Sequence, residues 1–234
     1  MMSSALKLVL CVLFIGYVTS EEVKPVANYV ACKKDDVACV DALVHRVIQG
    51  HPEHKIHPID PVVVPSLRVE KAGLHIMMTN VSISGISQKT VDEFKQFPDG
   101  KTLMLGFTAP MEFNAEMSLD SSKAKPHIGH YYAKANVIGK SKYSYSTRHV
   151  RRVDFYTIGI EKVTVELSGK PEATLDFNLK EDGAAEQNKI WESKQEQINE
   201  AVIKKMTQKA IASLMSNIRS VCKVFPKKTF FVDL

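Results

Sequence analysis

Apolar and polar residues alternate with a period of two through the middle of the chain, beginning at Leu74, Ile76 and Met78. Such alternation is typical of antiparallel strands with one face on a core. Turns are expected at Pro98–Gly100, Gly139–Lys140 and Gly169–Pro171. No helical pattern of useful length interrupts the series, which disfavours a parallel βαβ sheet. The strand-like segments are 74–78, 81–85, 102–107, 111–118, 128–138, 141–147, 153–167 and 173–179.

A short amphipathic helix is predicted before these strands. Asp35 or Asp36 can cap a helix that begins near Val37, and Gly50 and Pro52 stop it. An extended segment follows, IDPVVVPSLRVE, in which prolines disfavour helix.

A second, much longer helix is predicted from about Lys189 to Cys222, where Gly and Pro are absent. At about 1.5 Å per residue it would be about 50 Å long. From Ala210 to Cys222 Arg219 is the one charged residue, so this part of the helix is apolar on most sides and must be surrounded. A helix lying on one side of a flat sheet is the plainer alternative, but a flat sheet covers one stripe. We therefore predict an α+β fold in which a strongly curved antiparallel sheet wraps the long helix.

The first residues predict the compartment. Lys7 precedes the apolar run 8–18, and Val18 and Ser20 suit cleavage before Glu21, as in a secretory signal peptide. No later segment has the roughly 20 consecutive apolar residues of a membrane span. We predict a signal peptide at 1–20 and a single secreted, extracellular domain at 21–234, with no integral membrane association.

The cysteines agree with an oxidising compartment. Cys11 leaves with the signal peptide, and Cys32 and Cys39 are close enough in sequence for a local disulfide. A metal site is the less favoured alternative, because it needs further ligands at nearby spacing. Cys222 has apolar neighbours and is predicted to be a buried, inert thiol.

Charged residues suggest no catalytic or nucleic-acid function. The formal net charge is +5, and the basic residues are scattered, whereas nucleic-acid binding needs a clustered patch. Neither the nucleophile-elbow motif G-x-S-x-G nor the zinc-site motif H-E-x-x-H occurs. The carboxylates on the strands are expected on the solvent-exposed face of the sheet, so no enzyme is predicted.

Other polar clusters have more than one interpretation. The histidines at 45, 51, 54 and 57 are expected in a solvated loop, with a metal site or a pH-sensitive loop as alternatives. Arg148, Arg151 and Arg152 are expected at a solvated strand end, or else facing an acidic partner or anionic lipid. Asn80 begins an N-V-S glycosylation sequon.

The order of these features resembles the insect takeout and haemolymph juvenile-hormone-binding protein family. The matching elements are Cys32 with Cys39, the passage that ends in Ile59-Asp60-Pro61, and the stretch from Asn80 to Gly85. The segment before the long helix is only loosely similar to the family pattern. Cys222 alone is left for the second disulfide of the hormone binders, so the ligand is not fixed as juvenile hormone.

The resemblance implies an α/β-wrap (TULIP-like) fold with an apolar tunnel for a terpenoid hormone, fatty acid or other lipid, and no cofactor. A membrane-surface or antimicrobial lipid-binding protein of the same fold is the alternative function. Haemolymph or another extracellular fluid is the expected location, a monomer the expected state, and a receptor an additional candidate partner. The candidate ligand-lining residues are Val64, Leu67, Leu74, Ile76, Met78, Leu105, Phe107, Met111, Phe113, Tyr131, Trp191, Ile198, Val202, Met206 and Leu214.

Overall fold

The computed structural model describes residues 29–120, 127–178 and 184–234, so the predicted signal peptide lies outside the described residues. Two α-helices, seven β-strands and short 3-10 turns make up these ranges. In chain order they are α1 Val37–Gln49, β1 Val62–Lys71, β2 Leu74–Ser84, β3 Thr90–Gln96, β4 Thr102–Asp120, β5 Ile128–Val150, β6 Val153–Leu167, β7 Glu172–Phe177 and α2 Ala184–Val224.

All the strands join one antiparallel sheet of 7 strands, with the path β1-β2-β4-β5-β6. Strands β4 and β5 are 19 and 23 residues long, and each changes neighbours along its length. One half of β4 pairs with β3 and the other with β2, while β5 pairs first with β7 and then with β6. Irregular registers in β2, β3 and the β5–β6 pair add bends. The result is a strongly curled half-barrel.

Helix α2 runs unbroken for 41 residues inside this curl. It contacts β1, β2, β4, β5, β6, β7 and α1, so it is covered from several sides. Ala210, Ile211, Leu214 and Met215 are completely buried, and Ile218 is partly buried. The prediction of a long helix wrapped by a curved antiparallel sheet is confirmed.

The predicted turn at Gly139–Lys140 is wrong, because both residues lie inside β5. A Cβ atom on Gly139 would lie 2.8 Å from Ile211 Cδ1 and 2.9 Å from the Phe107 ring. The glycine therefore permits close packing of α2 on the sheet and does not reverse the chain. The segments predicted at 102–107 and 111–118 likewise form one strand, β4, which runs through Pro110.

The edge strand β3 was not predicted. Its sequence, TVDEFKQ, has charged residues at several positions, and only Val91 is fully buried. A register shift between Val91 and Glu93 also breaks the period of two. A strand that pairs with one neighbour and is mostly solvated leaves a weak sequence pattern.

Two of the stretches that carry the family resemblance, the one ending at Pro61 and the one ending at Gly85, meet in space. Asp60 accepts hydrogen bonds from the backbone N–H groups of Gly85 (3.0 Å) and Ser87 (2.9 Å). Gly85 has φ 97°, and a Cβ there would lie 2.2 Å from the Pro110 carbonyl oxygen. This turn therefore requires glycine.

The N-terminal arm is tied to α1 and to the end of the chain. Asp36 caps α1 by accepting from the N–H of Cys39, and Cys32 and Cys39 form the predicted disulfide. Cys32 also exchanges backbone hydrogen bonds with the C-terminal tail, residues 225–234, through Phe230 (2.8 Å) and Val232 (3.0 Å). No helix within the described ranges is both long and apolar enough to cross a bilayer.

Candidate ligand-binding cavity

An apolar cavity of about 60 Å³ lies where α1, the C-terminal half of α2 and the C-terminal tail meet the inner face of the sheet. Almost all of its exposed wall is carbon. It lies beside the part of α2 that is apolar on most sides. The wall consists of Val40, Leu43, Val44 and Val47 from α1, Phe94, Leu103, Leu105, Tyr143, Tyr156 and Ile158 from the sheet, Ile218, Val221 and Cys222 from α2, and Phe230, Phe231 and Leu234 from the tail.

Local periodicity explains how these side chains reach one place. On α1 the lining positions recur every three or four residues, which puts them on one helix face. On β4, Leu103 and Leu105 are two residues apart and so share the inner face of the sheet. On α2, Ile218, Val221 and Cys222 form a single stripe. Each element therefore contributes its apolar face to a shared void.

The side chains of the wall are uncharged near neutral pH. Burial raises the pKa values of the Tyr143 and Tyr156 hydroxyls well above the usual range, and it raises the pKa of the Cys222 thiol to about 12. The Tyr156 hydroxyl donates to a backbone oxygen of Leu234 at 3.0 Å. The cavity consequently suits a neutral, apolar molecule better than an ion.

An ion pair lies next to the wall residues Ile158 and Ile218, where α2 passes β6. Arg219 donates to Glu161 and, at 2.9 Å, to the Gly159 carbonyl oxygen. The Glu161 side chain is 12% exposed and that of Arg219 is 26% exposed. Because these charges satisfy each other, they do not require a charged ligand.

The C-terminal tail forms the outer wall. Phe231 stacks on Phe94 with ring centroids 5.2 Å apart, and Asp233 accepts from the N–H of Lys34 at 2.9 Å. Together with the bonds to Cys32 and Tyr156, these contacts hold the tail over the cavity. The tail is thus a wall supported by a few hydrogen bonds, not a strand of the sheet.

Of the predicted ligand-lining residues, Leu105 borders this cavity. The others pack elsewhere in the core, where Val64 is partly buried and the rest are fully buried. Tyr131 marks a polar position among them, since its hydroxyl donates to Asn199 Oδ1 at 3.1 Å and its ring lies 6.1 Å from Trp191. Their role in binding stays a prediction.

The prediction overlooked most of the wall, although part of its signal was present. The stripe on α1 is plain in the sequence, as are Ile218 and Val221 on α2. The aromatic pair Phe230-Phe231, close to the end of the chain, was a further indication. What the sequence lacks is any sign of which end of the core is left incompletely filled.

The histidine segment is less solvated than expected. His51 hydrogen-bonds to the Tyr29 hydroxyl, and its ring lies 5.1 Å from that of Phe225, so the solvated-loop prediction is wrong for this residue. His54 and His57 are exposed. Within 29–120, 127–178 and 184–234, no group of three or more His, Cys, Asp or Glu side chains is arranged to hold a metal ion.

Larger grooves exist on the surface but differ in character. One of about 690 Å³ lies between the β6–β7 turn and α2. Half of its wall is polar, with Glu196, Glu200 and Lys204 among its residues. It lacks the enclosure by apolar side chains that an apolar ligand needs.

Comparisons with known proteins cover nearly the whole chain. The profile of the haemolymph juvenile hormone binding protein (JHBP) family matches residues 8–231. The chain is 27% identical over 222 residues to the juvenile hormone-binding protein of Manduca sexta, covering 89% of this chain and 97% of that one. The crystal structure of Epiphyas postvittana Takeout 1 matches its fold with a TM-score of 0.72 at 15% identity, over 86% of this chain and 98% of the other.

Proposed function

Because the chain belongs to the haemolymph juvenile hormone binding protein family, we propose that it is a secreted carrier that holds a hydrophobic small molecule inside its core. The observation that carries this proposal is the apolar cavity bounded by both helices, the sheet and the tail. Removing apolar ligand surface from water there yields about 25 cal/mol per Å². A carrier needs no catalytic group, and the proposal is of binding alone.

The cavity is too small to admit a lipid without a change in its wall. At about 60 Å³ it is smaller than a cavity of about 150 Å³ that takes up benzene. A terpenoid of the juvenile-hormone type, a fatty acid or another lipid therefore enters only as wall side chains move apart. The tail is held to the rest of the protein by a few hydrogen bonds and is not a strand of the sheet, so it is where we expect the adjustment.

Extraction of the secreted protein tests the proposal directly. Organic extracts of protein purified from the medium of expressing insect cells should contain an apolar molecule at a fixed ratio to protein, identified by mass spectrometry. N-terminal sequencing of the same sample should start at Glu21, and light scattering should give a monomer. Repeated empty extracts, together with failure to bind a fluorescent fatty-acid probe, would refute the carrier.

Matched variants on α2 can locate the bound molecule. Val221→Phe fills the cavity, whereas Val224→Phe makes the same change on the same helix at a side chain that is 38% exposed and not in the wall. We expect probe affinity to fall at least tenfold for Val221→Phe and to stay unchanged for Val224→Phe. Val202→Phe changes a buried residue of the predicted tunnel. If only Val202→Phe loses affinity, the ligand binds in the predicted tunnel and not in the cavity described above.

A further inference from the structure

The outer face of the sheet carries a row of lysines that the carrier function does not use. Lys95 on β3 pairs with Met104 on β4, Met104 with Lys142 on β5, and Lys142 with Lys162 on β6. The three lysines are exposed, and they alternate along their strands with more buried residues, which places them on the outer face. We call Lys95, Lys142 and Lys162 the lysine row.

The row is electrostatically unfavourable in the isolated protein. Lys142 and Lys162 are directly opposite each other in a cross-strand pair, where like charges destabilise a sheet. No described carboxylate lies within 4.0 Å of an ammonium group of the row. An external anion would remove the repulsion.

The acidic residues nearest the row are engaged elsewhere. Glu93 forms an ion pair with Lys140 at 3.3 Å. Glu161 precedes Lys162 in the chain but faces the interior, where it pairs with Arg219. Asp99 accepts hydrogen bonds from the turn at residues 101 and 102, and the nearby Lys142 contributes to lowering its pKa after those bonds. The positive charge of the row is therefore only weakly offset.

Apolar side chains accompany the cations. Ile160 is 92% exposed and lies at the bulge between Tyr143 and Tyr145 of the neighbouring strand, two residues from Lys162. The Phe97 ring lies 4.0 Å from Lys142 Nζ and 5.7 Å from Lys95 Nζ. Amphipathic helices that lie in the interface of a bilayer also place lysines next to exposed apolar side chains, so this face of the sheet has the same two kinds of group.

We propose that this face of the sheet docks the protein on an anionic lipid bilayer. Lipid phosphate and carboxylate groups neutralise the lysine row, and Ile160 enters the boundary between headgroups and acyl chains. A sulfated polysaccharide would satisfy the lysines but leave Ile160 in water, so a lipid surface accounts for more of the face. The contact is peripheral.

Vesicle co-sedimentation tests the docking face. The full secreted chain should bind vesicles of phosphatidylcholine with 30% phosphatidylserine, bind pure phosphatidylcholine weakly, and lose binding as salt is raised. Each lysine near such a surface contributes about fivefold to the partition coefficient. The triple variant Lys95→Gln/Lys142→Gln/Lys162→Gln should therefore bind about 100-fold more weakly, and Ile160→Ser should also bind more weakly.

A control with the same charge change separates the face from net charge. Lys205, Lys209 and Lys228 are exposed, lie outside the row and form no ion pair with a described carboxylate. Their triple glutamine variant should bind the anionic vesicles nearly as the unmodified protein does. Equal losses in both triple variants would overturn the proposal, as would unchanged binding of the row variant. Retention on heparin through the row without any binding to vesicles would overturn it as well. Unchanged fatty-acid probe affinity and circular dichroism show that each variant is folded.

Discussion

We expect the two partners of the Lys89–Asp41 ion pair to contribute unequally to the free energy of unfolding. The Lys89 side chain is 1% exposed and that of Asp41 is 35% exposed. Lys89 Nζ donates to Asp41 Oδ1 at 2.9 Å and to the Asp41 carbonyl oxygen at 3.1 Å. The same carboxylate accepts from the N–H of Val91 at 2.8 Å. The pair thus pins α1, which forms one wall of the cavity, to the start of β3.

Removing the more exposed partner should cost more. Asp41→Ala leaves a buried ammonium with one backbone acceptor and takes the acceptor from the Val91 N–H, so we expect a loss of about 3–5 kcal/mol. Lys89→Met keeps an apolar stem in the buried site and leaves a carboxylate that water can reach. We expect that change to cost about 1 kcal/mol. The two variants should therefore differ by at least about 2 kcal/mol.

Guanidinium unfolding measures both effects. Trp191, the one tryptophan of the chain, is buried on α2 and reports unfolding by fluorescence. The double variant should resemble Lys89→Met, because no charge is then left unpaired in the core. If Lys89→Met proves as destabilising as Asp41→Ala, burial of the ammonium does not govern the energetics of this contact. Asp36→Ala is the control: it removes the α1 cap, leaves the ion pair intact and should lower the free energy of unfolding by about 1 kcal/mol.

Further predictions concern the covalent and titratable groups. Cys32→Ala/Cys39→Ala should lower the free energy of unfolding by about 2.5 kcal/mol, because the unfolded chain gains conformational entropy. The same variant should bind the probe more weakly, because the arm that holds the tail is then free. Equal stability of the unmodified protein with and without reductant would contradict this. Burial raises the pKa of the Cys222 thiol from 9.0 to about 12. The unfolded chain therefore loses this proton at lower pH than the folded protein does. The stability that the neutral buried thiol contributes is full below pH 9 and is lost as the pH rises toward 12. Urea midpoints should fall over that range, less steeply for Cys222→Ala, and the native thiol should resist iodoacetamide at pH 8. Asn80 is exposed at a bulge, so peptide N-glycosidase should increase the electrophoretic mobility of protein expressed with its predicted signal peptide in insect cells, and Asn80→Gln should abolish that change.

Periodicity predicted the regular elements where one face of an element is uniformly buried. The segments predicted at 74–78 and 81–85 lie almost entirely in one strand, β2, the segment at 153–167 is β6, and the run without Gly or Pro gave most of α2. Periodicity does not predict a strand correctly where a residue that usually marks a turn lies inside the strand because of tertiary contacts. Gly139 and Pro110 both interrupt the local pattern, yet each lies inside a long strand. Edge strand β3 failed for the opposite reason, since too little of it is buried to create a pattern.

The candidate site could be predicted in kind but not in position. An apolar, uncharged interior follows from the composition of α1, α2 and the inner strand positions. The location of the void follows from how side-chain volumes fill the curl, and no single segment encodes that. Leu105 and Leu214 are both almost completely buried, but Leu105 borders the cavity and Leu214 does not.

The sequence by itself determined that α2 must be enclosed, because a helix that is apolar on most sides is stable only when other residues cover it. It also determined the disulfide, whose cysteines are separated by 7 positions and meet through local geometry. Only the tertiary structure decided that the tail closes the cavity and that the lysines of three strands form one row. Both depend on the register between segments far apart in the chain, and register is set by the packing of the whole sheet.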